Sequence, residues 1–294
     1  MQLGGSSGSL NAQVFDNTIH TISGAGKVGG ILADNVGDAS IAHNNVYDLA
    51  SSLLIATSSP TVYGIGIGPG AYNYSPKISN NFVSDLRAPN CSSNSEAIYG
   101  IWAQGIGGAK IGIYNNTVFL DASSTSSQFG TAGIVMSASP TDIDLRNNIV
   151  INQSTSGTTS GRTVAVRRAN SVLDNYALTS NHNCFYAGTP GPKNLIFYDG
   201  NNADQTIDDF KDRVGPREQS SFSENVAFVN SNTAPFDLHI DGNIATQCES
   251  GGSQMSAIIE DFDRQPRFPI LGFPTNGFVA APDVGADEFG GVMN

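Results

Sequence analysis

Three groups of side chains in this sequence have types and spacings that could do chemistry. The first is His43, Ser79, Tyr114 and Arg146, which fall at one position of a recurring strand, with Lys77 and Asp144 beside them. Eliminative cleavage of a uronate polymer needs a cation to neutralise the carboxylate and a Lys, Arg, Tyr or His to take the α-proton. Tyr114, Arg146, Lys77 and His43 are therefore the catalytic candidates, although any solvated polar face would show the same residue types. The second group is Trp102, the only tryptophan, with Tyr72 and Tyr74 in the turn before it and Gln104 and Arg167 in the outward column beyond it. Aromatics and hydrogen-bonding groups on a flat ribbed surface suit a sugar ligand, unless a loop folds over Trp102. Arg167 and Arg168 could hold a carboxylate, and bracing a loop acid is the simpler role. The third is Asp283, Asp287 and Glu288, whose oxygens suit Ca²⁺, although pairing with Arg267 accounts for them more simply. No other cofactor is expected.

Glycoside hydrolysis is a poorer match. It needs two carboxyl groups about 5 to 9.5 Å apart, which on stacked strands means one column on adjacent or next-adjacent coils. The outward column Asp34, Gly68, Gln104, Ser137 and Arg167 holds a single carboxylate, and the only Asp-Asp pair, Asp208 and Asp209, lies in a predicted helix.

Composition narrows the class. The chain has 294 residues, of which 14% are charged, with 33 glycines and abundant Ser, Asn and Thr. That texture is poor in helix formers and fits a turn-rich β protein. The formal charge of −12, with no basic run, argues against nucleic acid as a partner. No stretch reaches about 20 apolar residues, so no membrane span is expected. Cys91, Cys184 and Cys248 form no metal-binding pattern. One disulfide with a leftover thiol and three buried thiols fit equally well.

One phrase recurs: FDNTI, HNNVY, SNNFV, YNNTV, RNNIV and NHNCF, anchored on Asn17, Asn45, Asn81, Asn116, Asn148 and Asn183. Spacings of 28, 36, 35, 32 and 35 residues suit coils with loops of variable length. Apolar residues stand three before the anchor (Val14, Ala42, Ile78, Ile113, Leu145) and two after it (Ile19, Tyr47, Val83, Val118, Val150, Phe185). Five is an odd separation, so both can face inward only if the chain bends at the asparagine, the non-glycine residue that best tolerates the left-handed conformation. Stacked asparagines can then hydrogen-bond along the column.

Each coil also contains an earlier strand: GGILAD, YGIGIG, YGIWAQ, AGIVMS or TVAVRR. With Ile31, Ile65, Ile101, Ile134 and Val164 inward, Leu32, Gly66, Trp102, Val135 and Ala165 point outward. The predicted fold is all-β, a right-handed parallel β-helix of three sheets with a short helix and a C-terminal capping region. Residues 1–10 read as a leader, 11–187 as the coils, and 188–294 as degenerate final coils, helix and cap. In TIDDFKDRVG, Thr206 is the expected N-cap, Ile207, Phe210 and Val214 one apolar face, and Gly215 the stop.

The coil pattern resembles the right-handed parallel β-helix superfamily, the pectate-lyase-like and PbH1-repeat proteins with their asparagine ladder, over residues 11–187. The ending DFDRQPR with PDVGADEF resembles that of many bacterial secreted β-helix proteins, which implies an extracellular or cell-surface location. The resemblance also implies function on the outer face of the first sheet, but the galacturonase-type phrases NTD, DD and GHG on successive coils are missing. An ice-binding array is excluded because no outward column repeats Thr. The expected function is a structural or adhesive surface β-helix with polysaccharide binding along its first sheet. The alternative is a polysaccharide lyase or glycoside hydrolase with part of its site in coils before residue 1, where an export signal is also expected. An open β-helix end would permit end-to-end self-association.

Overall fold

The computed structural model describes residues 1–4, 11–56, 60–69, 74–93, 96–274 and 280–294. Stacked parallel sheets form a β-solenoid of about five turns. The first sheet contains Val28–Asp34, Val62–Ile67, Ile98–Ala103, Thr131–Met136, Thr163–Arg168 and Asn194–Tyr198, each paired in parallel with its equivalent one coil along. Gln2–Gly4, expected in a leader, pairs with Leu32–Asp34 and extends this sheet. The second sheet runs from Gln13–Phe15 to Asp142–Arg146 and the third from Thr18–Ile19 to Cys184–Tyr186. A short fourth sheet (Ile22–Gly24, Leu49–Ser51, Leu86–Arg87) occupies part of the return path.

The asparagine ladder is present with one corrected rung. Side-chain amides link Asn17 to Asn44, Asn81, Asn116, Asn148 and Asn183 at 2.9–3.0 Å per step. Asn44, not Asn45, belongs to the ladder, and Asn45 is a strand residue paired with Thr18 and Phe82. The inward columns shift accordingly, to Ile41 in place of Ala42 and Val46 in place of Tyr47. The left-handed residue is also not the ladder asparagine but the one before it: Asp16, His43, Asn80, Asn115, Asn147 and His182, with φ between 51° and 58°. These short polar and imidazole side chains bend the chain, and the next asparagine amide satisfies the carbonyls left by the bend, as Asn116 does for Tyr114 and Ile78.

The first sheet carries a second correction. Its strands hold two successive inward residues, because a glycine column (Gly30, Gly64, Gly100, Gly133) is skipped in the register. A Cβ on Gly64, Gly100 or Gly133 would stand 2.1–2.5 Å from Val83, Val118 or Val150 of the third sheet, so only glycine lets the sheets close there. The next two coils keep the skip, with Ala165 and then Ile196 in the glycine position. Val166 therefore faces inward opposite Ile134, while Val164 faces out with Ala132 and Leu195. Arg167 takes the outward place beside Val135 that had been given to Ala165.

The helix spans Ile207–Val214 with Thr206 as N-cap, its hydroxyl accepting from Asp209 N at 3.2 Å. Phe210 stacks on Phe197 at 5.0 Å and meets Phe185 edge-on at 5.9 Å, so the helix closes one end of the core. The C-terminal stretch covers the flank of the solenoid instead. It packs on the outer face of the third sheet, where Phe82, Phe119, Ile149 and Cys184 meet Leu238, Cys248, Val284 and Phe289 in a second apolar core. It is tied to the bends by Arg264–Asp16 (2.7 Å), Arg267–Asn80 (3.1 Å), Gly285–Asn147 (2.7 Å) and His182–Gly251 (2.9 Å). All three cysteines are buried and free. No described helix is long and apolar enough to cross a membrane.

Candidate binding surface on the first sheet

The first-sheet outer face is where aromatic and cationic side chains converge. Outward positions on either side of the glycine skip form two columns: Tyr63, Tyr99, Ala132, Val164 and Leu195 in one, and Leu32, Gly66, Trp102, Val135, Arg167 and Tyr198 in the other. All but Gly66 and Arg167 make a third apolar cluster, on the outside of the solenoid. Gly66 provides the floor for the indole: a Cβ there would lie 3.5 Å from Trp102 Cε3. Tyr63 and Tyr99 meet Trp102 edge-on at 6.1 and 6.3 Å, the favoured arrangement of ring quadrupoles. Neighbouring phenols thus support Trp102, which is half-buried.

Cations stand over the rings. Lys27 Nζ lies 4.8 Å from the Trp102 centroid, and the Arg162 and Arg167 guanidinium carbons lie 4.3 and 4.7 Å from that of Tyr198. Arg167 is also 3.4 Å from buried Glu96, so it braces a loop acid, as expected. Lys27 and Arg162 have no carboxylate within ion-pair reach among the described residues. In a chain with 26 acidic and 14 basic side chains, two unpaired cations on one aromatic strip are a local reversal of charge.

Other expected ligand residues fare differently. Tyr74 is buried in the main core with its hydroxyl on Gly68 O at 3.2 Å, so it offers no stacking face. Tyr72 lies outside the described residues. Gln104 is half-buried at the end of the Trp102 strand. Arg168 points into the core, where Asn175 Oδ1 (2.7 Å) and Val172 O accept from it and burial pulls its pKa down. Tyr63, Tyr99, Tyr198, Lys27 and Arg162 were missed. The Tyr-Gly-Ile phrase at 63–65 and 99–101 was the available signal, because a skipped glycine turns the preceding tyrosine outward.

On the second sheet Ser79, Tyr114 and Arg146 share one column, and the last two are engaged by Asp144. Arg146 makes a two-pronged ion pair with Asp144 (3.1 and 2.6 Å), and the Tyr114 hydroxyl donates to the same carboxylate at 3.2 Å. Burial and that carboxylate push the Tyr114 phenol far above its ordinary range, which unsuits it as a base. Ala42, not His43, aligns with Ser79, Tyr114 and Arg146. His43 lies at a bend against Asn80 (3.1 Å), its pKa lowered by burial and by Arg264 of the covering segment. Lys77 is exposed. In the C-terminal segment Glu288 pairs with Arg267 at 3.0 Å, and Asp283 accepts from Ser250 N and Phe289 N at 2.6 and 2.8 Å. No protein-family model, curated protein or solved structure matches this chain at a significant level.

Proposed function

We propose that this chain is a non-catalytic, extracellular or cell-surface β-helix of the pectate-lyase-like superfamily, structural or adhesive, that binds polysaccharide along the outer face of its first sheet. The observation that carries the reading is the Trp102 strip with Lys27 and Arg162 unpaired beside its rings. An indole held over Gly66 gives a sugar ring an apolar face to stack on, and the cations suit the carboxylates of an acidic polysaccharide. Trp102 and Tyr198 lie three coils apart, about 14 Å at 4.8 Å per strand, so a ligand running along the solenoid axis can contact both.

The reading is tested by affinity electrophoresis and glycan arrays with neutral and acidic polysaccharides, together with an assay for unsaturated uronate and reducing ends. Binding without product, lost in Trp102→Ala and weakened in Lys27→Ala, is the expected outcome. Release of product, or binding indifferent to Trp102, would overturn it.

A further inference from the structure

The segments that cover the third sheet bring metal-binding groups together far from the sugar surface. His239 lies on the strand Asp237–Ile240, Asp263 in the turn after Phe262, and Asp287 in the phrase at 283–289. One ring nitrogen and two carboxylate oxygens from these three segments all lie within 4.8 Å of one another. The imidazole is held firmly. Asp237 Oδ1 takes His239 Nδ1 as well as the His239 main-chain N–H at 3.0 Å. Phe82 and Phe262 meet the ring edge-on at 5.0 and 5.7 Å. Nε2 is thereby aimed at Asp263 Oδ2, 2.9 Å away.

Asp287 is the least supported of the three. It is 6% exposed, yet among the described residues no N–H or O–H donates to its carboxylate. Its acidic neighbours are all satisfied: Asp261 accepts from Gln265 N and Glu288 N at 2.8 and 3.1 Å, and Arg267 is committed to Glu288. A buried carboxylate without a donor is costly unless a cation compensates it.

We propose that His239 Nε2, Asp263 and Asp287 bind one divalent transition-metal cation of the Zn²⁺ or Mn²⁺ class, with Asp237 orienting the imidazole from behind. One imidazole and two carboxylates suit these ions, whereas Ca²⁺ prefers six to eight oxygens. A histidine whose second nitrogen is held by a carboxylate is the usual supporting arrangement at such sites. Ligand distances near 2.0–2.2 Å require the three groups to close on the ion. Asp263, with 44% of its side chain exposed, can move and leaves a route from solvent. The bound ion clamps together three segments of the flank cover, a role independent of the sugar reading.

The test is calorimetric titration of the metal-stripped full chain with ZnCl₂, MnCl₂ and CaCl₂, with thermal unfolding in each ion and after EDTA. One saturable Zn²⁺ or Mn²⁺ site is expected, with a raised melting temperature that EDTA reverses. Asp287→Asn and Asp263→Asn should abolish binding, and Asp237→Asn should weaken it about 10- to 100-fold. Asp287→Asn takes away a carboxylate to which no described group donates and Asp263 is half-exposed, so both variants should fold, as circular dichroism will show. Absence of saturable binding by the wild type, binding retained in both asparagine variants, or Ca²⁺ bound more tightly than Zn²⁺ would overturn the proposal.

Discussion

Asn183, the last rung of the ladder, donates its amide to both carboxylate oxygens of Glu218, at 2.9 and 3.2 Å, across the 35-residue separation typical of the ladder. The hydroxyls of Tyr176 and Ser221 donate to the same carboxylate, which is fully buried. A polar column running down the protein wall therefore ends on an acid that satisfies three donors, and the helix and its following turn can close over it.

Burial raises the Glu218 carboxyl pKa, with the bonds from Ser221, Tyr176 and Asn183 opposing the rise. A folded pKa above the unfolded value near 4.3 means that the contribution is complete below that value and is lost as pH rises through the folded pKa. The Glu218 contribution should thus fall as pH climbs above about 4, so wild type should lose stability relative to Glu218→Gln. Glu218→Ala leaves buried donors without acceptors and should cost ~2–4 kcal/mol. Urea unfolding across this pH range checks both, and parallel pH curves for wild type and Glu218→Gln would contradict the raised pKa.

Asn44 and Asn45 are adjacent but should respond differently to mutation. Asn44 donates to Asn81 Oδ1 and to the Ala42 and Val14 carbonyls, all at 2.9 Å, and is buried. Asn44→Ala breaks the ladder between Asn17 and Asn81 and should cost ~2–4 kcal/mol. Asn45, half-buried with only its main chain in the ladder of strands, should tolerate alanine within ~0.5 kcal/mol. Denaturant midpoints of the two variants separate the alternatives, and equal losses would place both asparagines in the ladder.

The same pair shows what was legible in the sequence. The repeat, the coil strands and the existence of a ladder follow from period-two alternation and recurring asparagines, and the helix from Thr206 with the helical spacing of Ile207, Phe210 and Val214, all of them local signals. In HNNVY two asparagines compete for one position, and the decision comes from alignment of Ile41 with Ile78, a contact between coils. The two-residue slip at TVAVRR has a similar origin. Strict alternation assigns Val164 inward, but the skipped column makes Ala165 and Val166 successive inward residues, and only the close approach of the third sheet reveals it. The aromatic strip of the first sheet was half visible through Trp102, whereas Lys27, Arg162 and Tyr198 lie in different coils and the sequence carries no sign of their meeting. His239 lacked any motif because its partners are 24 and 48 residues away.

Gly100 tests the skipped column directly. A Cβ on it would fall 2.5 Å from Val118 Cγ1 and 2.6 Å from Gly133 O, so Gly100→Ala forces strands and sheets apart. The expected loss is ~1–3 kcal/mol, as for other overpacked cores. Val118→Ala removes one of the two obstacles, so the double variant should be less destabilised than the sum of the single changes. Strict additivity in a double-mutant cycle would refute the contact.

The cysteines are free in this structure, but their placement specifies which pair can oxidise. Cys184 lies in the third sheet and Cys248 in the segment covering it. Burial first, and then the neighbouring Cys184 thiol, raise the Cys248 pKa well above its ordinary value. Both thiols are fully buried, so the native reduced protein should react slowly with a thiol reagent at neutral pH and expose three thiols once unfolded. Cys91 is held elsewhere, against Thr61 Oγ1 at 3.3 Å. Refolding under oxidising conditions should therefore join Cys184 to Cys248 and leave Cys91 free. The closed loop spans 64 residues, so the crosslink should stabilise the protein by ~4 kcal/mol through lost unfolded-state entropy, provided the native packing is undistorted. Peptide mapping without reduction identifies the pair. A bridge to Cys91, or a scrambled mixture, would contradict the placement of Cys248 against the third sheet, and the described cover would then need a different register.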